Sequence, residues 1–269
     1  MSHTTLVELE IDNGIATLFL NRPDKRNAIS DPMRTALIAV LERVSSDRGV
    51  RALVLTGRGQ AFCAGGDIAG MQQRIASPPG EVAFNGWSRQ QHVHRAVSLL
   101  HGMPKPTIAA VNGAAAGLGA DIALSCDFVM ASEAASFSWS YIARGLVSDG
   151  GGMYFLPRRV GLARAKELIF SGHRLTAEAA LSMGIADRTS QADQLLADAR
   201  AWALELSQGS ATALALGKSI LNRSLDTSAE QMFALSSQAQ AICYTSTEHR
   251  ESVQAFMDKT APKPSGAAH

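Results

Sequence analysis

The sequence predicts an α/β protein that ends in a helical C-terminal region. Strand patterns, glycine-bearing loops and helical patterns alternate along most of the chain, which is typical of stacked β-α crossovers. After about residue 160 the strand patterns become fewer and helical patterns take over. The 269 residues are 46% hydrophobic and 18% charged, which is enough apolar surface to fill a large core. We therefore divide the chain into a β/α core, residues 1–205, and a helical C-terminal region, residues 206–269.

The chain opens with a predicted hairpin and a helix. Residues 6–11 alternate between apolar and polar side chains, and a second strand pattern covers residues 15–20. The residues between them, 12–14, read Asp-Asn-Gly, which is a strong hairpin-turn signal. Asp-Pro at positions 31 and 32 opens a helical stretch to about residue 44, since proline is favoured in the first helical turn.

Two buried strands are predicted at residues 50–56 and 107–111, and each runs into a glycine-bearing loop. Between them, residues 71–100 contain Pro-Pro-Gly and Asn-Gly, sequences that usually break regular structure. We predict an irregular, mobile segment there, flanking a pocket.

Capping residues define the later helices. Thr176 is placed to cap a short helix, because its hydroxyl can accept a hydrogen bond from a free N–H of the first turn. Ser228 and Gln231 have the spacing of a capping box. They predict the start of one long helix that runs to about residue 259.

Charge, cysteine content and hydropathy exclude several classes of function. The 25 basic and 24 acidic residues nearly cancel and form no basic stripe, so we expect no nucleic-acid partner. The three cysteines are widely spaced and the histidines, including His92 and His94, do not fall at metal-ligand spacings. We expect no metal site, a reducing compartment, and a solvated face for the two histidines.

We expect neither a membrane span nor an export signal in this sequence. Its most apolar stretch, residues 107–131, is interrupted by Asn112, Asp121 and Asp127, so it is not expected to span a membrane. The first residues show neither a basic nor a long apolar leader pattern. We expect a cytoplasmic protein.

Two glycine-rich loops are the first candidates for chemistry. They cover residues 61–68 and 112–121, each just after a predicted strand. A helix that starts near Gly117 leaves its first N–H groups without partners inside the helix. Two such loops could direct two N–H donors at one oxygen atom, as in an oxyanion hole. Each loop could equally be only a tight connection, and the glycine spacing does not fit dinucleotide binding.

Three aspartates are candidate acids. Asp121 lies in an otherwise apolar helix start, where it is either a general base with a raised pKa or a buried hydrogen-bond acceptor. Asp149 precedes a run of three glycines and either reaches into a pocket or lies in a solvated turn. Asp127, at the far end of the helix that carries Asp121, is interpreted as structural.

Several motifs, taken in order, resemble the crotonase family, also called the enoyl-CoA hydratase/isomerase family. They are NRPDKRNA at residues 21–28, AFCAGGDI at 61–68, the segment 105–127 and LTAEAA at 175–180. The resemblance extends over about residues 6–259.

The resemblance implies a crotonase-like spiral of β-β-α turns with a C-terminal helical region that mediates trimers, often paired into hexamers. It implies acyl-CoA thioester substrates, with coenzyme A as part of the substrate and no separate cofactor. A homotrimer or dimer of trimers would also cover apolar side chains that the C-terminal helices would otherwise expose. These side chains are Trp202, Leu204, Leu206, Phe233, Leu235 and Phe256.

The resemblance also assigns site residues. The oxyanion donors are the backbone N–H groups of Gly66 and Leu118, where Leu118 replaces the usual glycine. Ala64 corresponds to the position that contacts adenine, and Lys25 and Arg26 to positions near the phosphates of coenzyme A. The remaining substrate-binding positions are Ala28, Asp67, Ile68 and Tyr141.

The sequence departs from hydratases at the acids. Two glutamates hold and activate water in hydratases of this family, and here Asp121 and Tyr141 take their positions. Tyr141 is a poor base near neutral pH, and we interpret it as pocket lining. Asp149 falls where some isomerases of the family, including the dienoyl-CoA type, carry a catalytic aspartate. Pro264 stands where relatives often have an aromatic residue over the coenzyme A.

The predicted activity is double-bond isomerisation of an enoyl-CoA, with Asp149 and Asp121 as proton carriers. The alternatives are hydration of a 2-enoyl-CoA and acyl-CoA hydrolysis or lyase chemistry. A further alternative is a protein that binds coenzyme A without catalysis, because function depends on the site and not on the fold.

Overall fold

The computed structural model describes residues 5–259. Its strands are β1 (Val7–Asp12), β2 (Ile15–Leu20), β3 (Ala52–Gly57), β4 (Ala61–Cys63), β5 (Thr107–Val111), β6 (Ala114–Ala116), β7 (Phe128–Ser132), β8 (Ser136–Ser138), β9 (Leu175–Thr176) and β10 (Arg188–Ser190). Its helices are α1 (Asp31–Ser46), α2 (Ile68–Ile75), α3 (Pro79–His101), α4 (Leu118–Leu124), α5 (Gly152–Val160), α6 (Leu162–Ser171), α7 (Ala177–Ser182), α8 (Leu195–Leu206), α9 (Ala211–Leu221), α10 (Ala229–Thr245) and α11 (Thr247–Met257).

The strands form two sheets, and successive turns of the chain contribute strands to both. One sheet has the order β1-β2-β3-β5-β7-β10 and the other the order β4-β6-β8-β9. The pairs β3-β4, β5-β6 and β7-β8 each place one strand in each sheet, and each pair is followed by helix. This repetition is the predicted spiral of β-β-α turns, so the predicted fold class is confirmed. The division at residue 205 stays a prediction.

The first predicted elements are confirmed. Strands β1 and β2 pair antiparallel from Val7 opposite Leu20 to Asp12 opposite Ile15, and Asn13 and Gly14 have left-handed backbones in the turn. Helix α1 begins after Ser30, whose side chain accepts a hydrogen bond from the N–H of Met33, and carries proline in its first turn. The helix ends two residues beyond the predicted boundary.

Residues 71–100 are regular rather than irregular, which corrects the prediction. The prolines lie at the junction between α2 and α3, and Pro79 occupies the first turn of α3, where a missing N–H costs nothing. Val93, Ala96, Val97 and Leu100 are buried on one side of α3, at spacings of three and four residues that place them on one helix face. This apolar stripe packs on the core and outweighs the local turn signals.

Trp202 is part of the core and not of an exposed surface, which corrects its assignment to the apolar patch. It is 6% exposed and packs beneath the large sheet with Val54, Ile108 and Met130. The guanidinium of Arg188 lies 3.9 Å from the centre of its ring. Helix α8 therefore covers one face of the sheet.

The helices at the C-terminal end differ from prediction in one respect. The capping box of Ser228 and Gln231 is present at the start of α10, but Ser246 ends that helix and caps α11 through the N–H of His249. The single long helix is therefore two helices. Phe233 and Phe256 are 70% and 82% exposed, and the trimer stays a prediction.

Two further sequence expectations concern a membrane span and the residue over the coenzyme A. Among residues 5–259, no helix combines the length and the apolar character that crossing a membrane requires. Pro264, the residue that replaces an aromatic side chain over the coenzyme A, lies outside the described residues.

Candidate active site

The two glycine-rich loops contact each other through their backbones. Gly65 has a left-handed φ of 96°, and a methyl group on it would lie 2.7 Å from the Ala116 carbonyl and 3.5 Å from the Leu118 nitrogen. A methyl group on Gly119 would overlap the carbonyl of Cys63. Only glycine permits such a close approach of two chains. The glycines therefore bring Gly66 and Leu118 into neighbouring positions.

The N–H groups of Gly66 and Leu118 are free while the groups around them are paired. Asp67 N–H donates to the Ile29 carbonyl at 3.2 Å, and Gly117 N–H donates to the Ser138 carbonyl at 2.8 Å. Within residues 5–259, Gly66 N–H and Leu118 N–H donate no hydrogen bond. Both residues line one cavity of about 300 Å³. Two free N–H groups on one cavity are what an oxyanion hole requires.

Asp121 is fully buried and is surrounded by hydrogen-bond donors from outside its own helix. Four groups donate to its carboxylate: Trp139 Nε1 at 3.0 Å, Tyr141 Oη at 2.7 Å, Ser148 Oγ at 3.2 and 3.3 Å, and Gly150 N at 3.1 Å. A carboxylate offers about four lone-pair sites. The protein itself therefore fills the acceptor capacity of Asp121.

Burial controls the protonation of this cluster. Burial raises the pKa of Asp121 to about 6, against the opposing effect of the hydrogen bonds from Tyr141, Ser148 and Trp139. Burial, followed by the charge of Asp121, raises the pKa of Tyr141 well above its ordinary value. Near neutral pH, Asp121 is therefore mostly ionised and Tyr141 is a neutral phenol that donates to it.

The glycine loop after Asp149 closes on this cluster. A methyl group on Gly150 would lie 2.5 Å from Leu118 Cδ1 and 2.8 Å from Asp121 Oδ2, and one on Gly152 would overlap Asp121 Oδ1. The backbone of the loop thus packs between the carboxylate and the Leu118 side chain. This packing places the residue that follows Asp149 against the Leu118 side chain.

Asp149 differs from Asp121 in being partly exposed. Burial raises its pKa, while a hydrogen bond from its own backbone N–H and the charges of Arg89 and His94 act in the opposite direction. His94 Nε2 lies 2.9 Å from the Asp149 carbonyl oxygen and, since a carbonyl only accepts, donates to it. His92 and His94 are both exposed, as predicted, and His94 also helps to hold this loop.

The segment of residues 22–28 lies against the loop that carries Gly66. Ala64 N–H donates to the Arg26 carbonyl at 2.9 Å. Arg22 Nη1 donates to the Ala28 carbonyl at 3.2 Å and pairs with Asp67 at 2.8 Å. The hydrogen bond from Arg22 lowers the pKa of Asp67. Lys25, Arg26 and Ile68 are exposed on these segments.

The structure thus brings together the predicted oxyanion donors, the two aspartates and Tyr141. Sequence reasoning missed Trp139 and Ser148, which complete the shell around Asp121. Trp139 and Tyr141 are two residues apart after β8, so an extended chain would place both side chains on one side. That alternation was the available signal.

Asp127 accepts from Lys218 Nζ at 2.7 Å and from Thr107 N–H at 2.8 Å, which agrees with its structural interpretation.

Comparison with known proteins places this geometry among relatives. Residues 10–266 match the sequence model of the family described as enoyl-CoA hydratase/isomerase. The chain is 35% identical over 256 residues to the 1,2-epoxyphenylacetyl-CoA isomerase of Escherichia coli, covering 95% of this chain and 97% of the relative. It is 34% identical over 270 residues to a probable enoyl-CoA hydratase of Rhodobacter capsulatus, covering 99% and 100% of the two chains. The crystal structure of a putative enoyl-CoA hydratase from Streptomyces coelicolor superposes with a TM-score of 0.91 at 32% identity, covering 99% of this chain and 96% of that one.

Proposed function

Because the chain belongs to the enoyl-CoA hydratase/isomerase family, we propose that it moves the double bond of an enoyl-CoA thioester. Coenzyme A is part of the substrate, and no separate cofactor is required. The observation that carries this proposal is the filled hydrogen-bond shell of Asp121 beside the partly exposed Asp149. Of the two carboxyls, Asp149 is the one with room for a substrate.

The thioester carbonyl binds the N–H groups of Gly66 and Leu118. Loss of a proton from the acyl chain places negative charge on the carbonyl oxygen as an enolate forms. Two fixed N–H donors stabilise that charge, and a donor of this kind contributes about 3–4 kcal/mol to the transition state. The free state of both groups supports this role.

Asp149 takes a proton from one carbon of the acyl chain and returns it to another. The overall reaction adds and removes no atoms, so one carboxyl suffices for both steps. Burial raises the pKa of Asp149, which moves a carboxyl toward the range useful for proton transfer at neutral pH. Asp121 acts through the backbone of Gly150 and the hydroxyl of Tyr141, and so positions the loop of Asp149.

Hydration is the second candidate, because a relative with 34% identity is named a probable enoyl-CoA hydratase. Adding water calls for groups that both orient the water and supply a proton. Here Asp121 accepts from four protein donors, and the raised pKa of Tyr141 makes its phenol a weaker acid than an ordinary tyrosine. These contacts favour isomerisation over hydration.

The exposed segments beside the site fit the remainder of the substrate. Lys25 and Arg26 are exposed cations suited to the phosphates of coenzyme A. The two contacting segments, residues 22–28 and 61–68, also carry Ala28, Ala64, Asp67 and Ile68. We extend the proposal to a homotrimer or dimer of trimers in the cytoplasm, in which a neighbouring copy covers the exposed Phe233 and Phe256.

Isotope labelling tests the reaction. A 3-enoyl-CoA and a 2-enoyl-CoA are each incubated with the enzyme in oxygen-18 water and in deuterium oxide, and the products are analysed by mass spectrometry. Isomerisation gives the shifted double bond without oxygen-18, whereas hydration incorporates the label. Thioester binding without turnover of either substrate would support the non-catalytic alternative, and release of free thiol would indicate hydrolysis or lyase chemistry. The Asp149→Asn variant, run in parallel, controls for a contaminating activity.

A further inference from the structure

The cavity that contains Gly66 and Leu118 is also lined by three arginines: Arg34, Arg74 and Arg89. Its apolar lining includes Ile29 and Val93. Its volume of about 300 Å³ is at the small end of ligand cavities and fits a short acyl chain. A cavity made only for a hydrocarbon chain needs no guanidinium groups. The arginines therefore indicate that the cavity also binds a group able to accept hydrogen bonds from guanidinium.

The carboxylates around this cavity do not balance the arginines. Asp31 pairs with Arg34 at 3.0 Å and lies 3.9 Å from Arg74. Asp67 also lines the cavity, but its carboxylate is already paired with Arg22. Asp31 thus serves two arginines by itself.

Arg89 is the least satisfied of the three. Its Nε atom is buried and has no hydrogen-bond partner in the described part of the chain. Its charge acts on Asp149 and on Arg74, whose pKa is lowered first by burial and then by the charge of Arg89. Even with Asp149 ionised, three guanidinium groups share two carboxylates. A buried donor without an acceptor costs free energy, and an incoming carboxylate would supply the acceptor.

The place of Arg74 is built into the helix that carries it. Gly70 lies one turn before Arg74 on α2, and a methyl group on it would lie 3.1 Å from Arg74 Nη1. The missing side chain lets the guanidinium lie over the helix backbone instead of extending into solvent. Arg74 is accordingly held at the wall of the cavity.

Resting on the proposed function, we infer that the acyl group of the substrate ends in a carboxylate, which Arg74 and Arg89 bind while Gly66 and Leu118 hold the thioester carbonyl. The substrate class is then the coenzyme A monothioester of a short dicarboxylic acid. Arginine is suited to this task because its planar fork can donate two parallel hydrogen bonds to one carboxylate.

Binding of non-reactive thioesters tests the inference without interference from catalysis. The dissociation constants of adipyl-CoA and hexanoyl-CoA, which have equal chain lengths, are measured by titration calorimetry at one salt concentration. We expect the wild-type protein to bind adipyl-CoA roughly 10- to 100-fold more tightly, the range for hydrogen bonds to a charged group. Arg89→Gln and Arg74→Gln should each reduce this ratio toward one. Arg95→Gln is the matched control, since Arg95 lies on the same helix as Arg89 but pairs with Glu42 on the exposed surface.

Two results would overturn the inference while leaving the proposed function intact. One is equal binding of the two thioesters by the wild-type protein. The other is an equal loss of affinity for both thioesters in Arg89→Gln, which would mean that the arginines bind the phosphates of coenzyme A. If neither thioester bound to the protein, that result would overturn the proposed function, and this inference with it. Circular dichroism of each variant verifies that it is folded.

Discussion

Asparagine substitutions at Asp121 and Asp149 should have opposite consequences for stability and catalysis. In Asp121→Asn, the new amide oxygen would accept at most two of the four donors that now reach the carboxylate, and the amide nitrogen would face the others. Each buried donor without an acceptor costs about 1–3 kcal/mol. Asp121→Asn should therefore lower the free energy of unfolding by about 2–6 kcal/mol, the sum over two such donors. Asp149 is partly exposed, and Asp149→Asn should cost about 1 kcal/mol or less.

Catalysis should respond in the reverse order. Asp149→Asn removes the group proposed to carry the proton, so kcat should fall about 100- to 10,000-fold, equivalent to about 3–5 kcal/mol. Asp121→Asn should lower kcat only through misplacement of the loop, and less severely. Denaturant unfolding gives the stabilities, and the absorbance of the conjugated enoyl thioester gives the rates. Affinity for a saturated acyl-CoA shows whether each variant keeps its binding site.

The pH dependence of stability gives a second measurement on Asp121. Its folded pKa of about 6 lies above the value of an unfolded aspartate, about 3.9, so the folded protein binds this proton more tightly. The stability that this group contributes is therefore fully present below its unfolded pKa and is lost as pH rises through its folded pKa of about 6. As pH rises across that window, the free energy of unfolding of the wild type should fall relative to that of Asp121→Asn.

The role of Asp149 as the proton carrier would be refuted if Asp149→Asn kept its turnover within a few-fold of the wild type. It would also be refuted if Asp121→Asn were as stable as the wild type but inactive, because that pattern would make Asp121 the proton carrier. Equal losses of kcat in both single variants and in the double variant would instead mark the two acids as one unit.

Four further predictions concern the rest of the molecule. Gly66→Pro removes an oxyanion N–H and should reduce kcat about 100- to 1,000-fold; affinity for a saturated acyl-CoA is the control, and near-normal turnover would contradict the assignment. Tyr141→Phe removes the hydrogen bond that the phenol donates to Asp121, and because the other three donors to that carboxylate remain, kcat should stay within several-fold of the wild type. Asp127→Ala leaves the Lys218 ammonium without its carboxylate and should cost about 3–5 kcal/mol of stability, with kcat unchanged in the protein that remains folded. Light scattering at micromolar concentration should show a trimer or hexamer, and a stable monomer would contradict that expectation.

Local patterns determined the parts of this protein whose partners are close in sequence. The Asp-Asn-Gly turn of the hairpin, the cap at Thr176 and the capping box at Ser228 each depend on a few neighbouring residues. The glycine loops at 61–68 and 112–121 were recognisable for the same reason, and their motifs carried the family resemblance. Local hydrogen bonding and backbone freedom act over these short distances and are therefore readable from the sequence.

Tertiary structure alone decided what surrounds the acids and how the ambiguous segments fold. The donors to Asp121 lie 18 to 29 residues along the chain from it, so no local pattern distinguishes a filled carboxylate from a free base. Residues 71–100 are helical because their apolar stripe is buried against the core, although prolines and glycines there signal a break. Three arginines, one from each of helices α1, α2 and α3, meet in one cavity. Burial and charge compensation depend on contacts between distant segments, and those contacts exist only after the chain has folded.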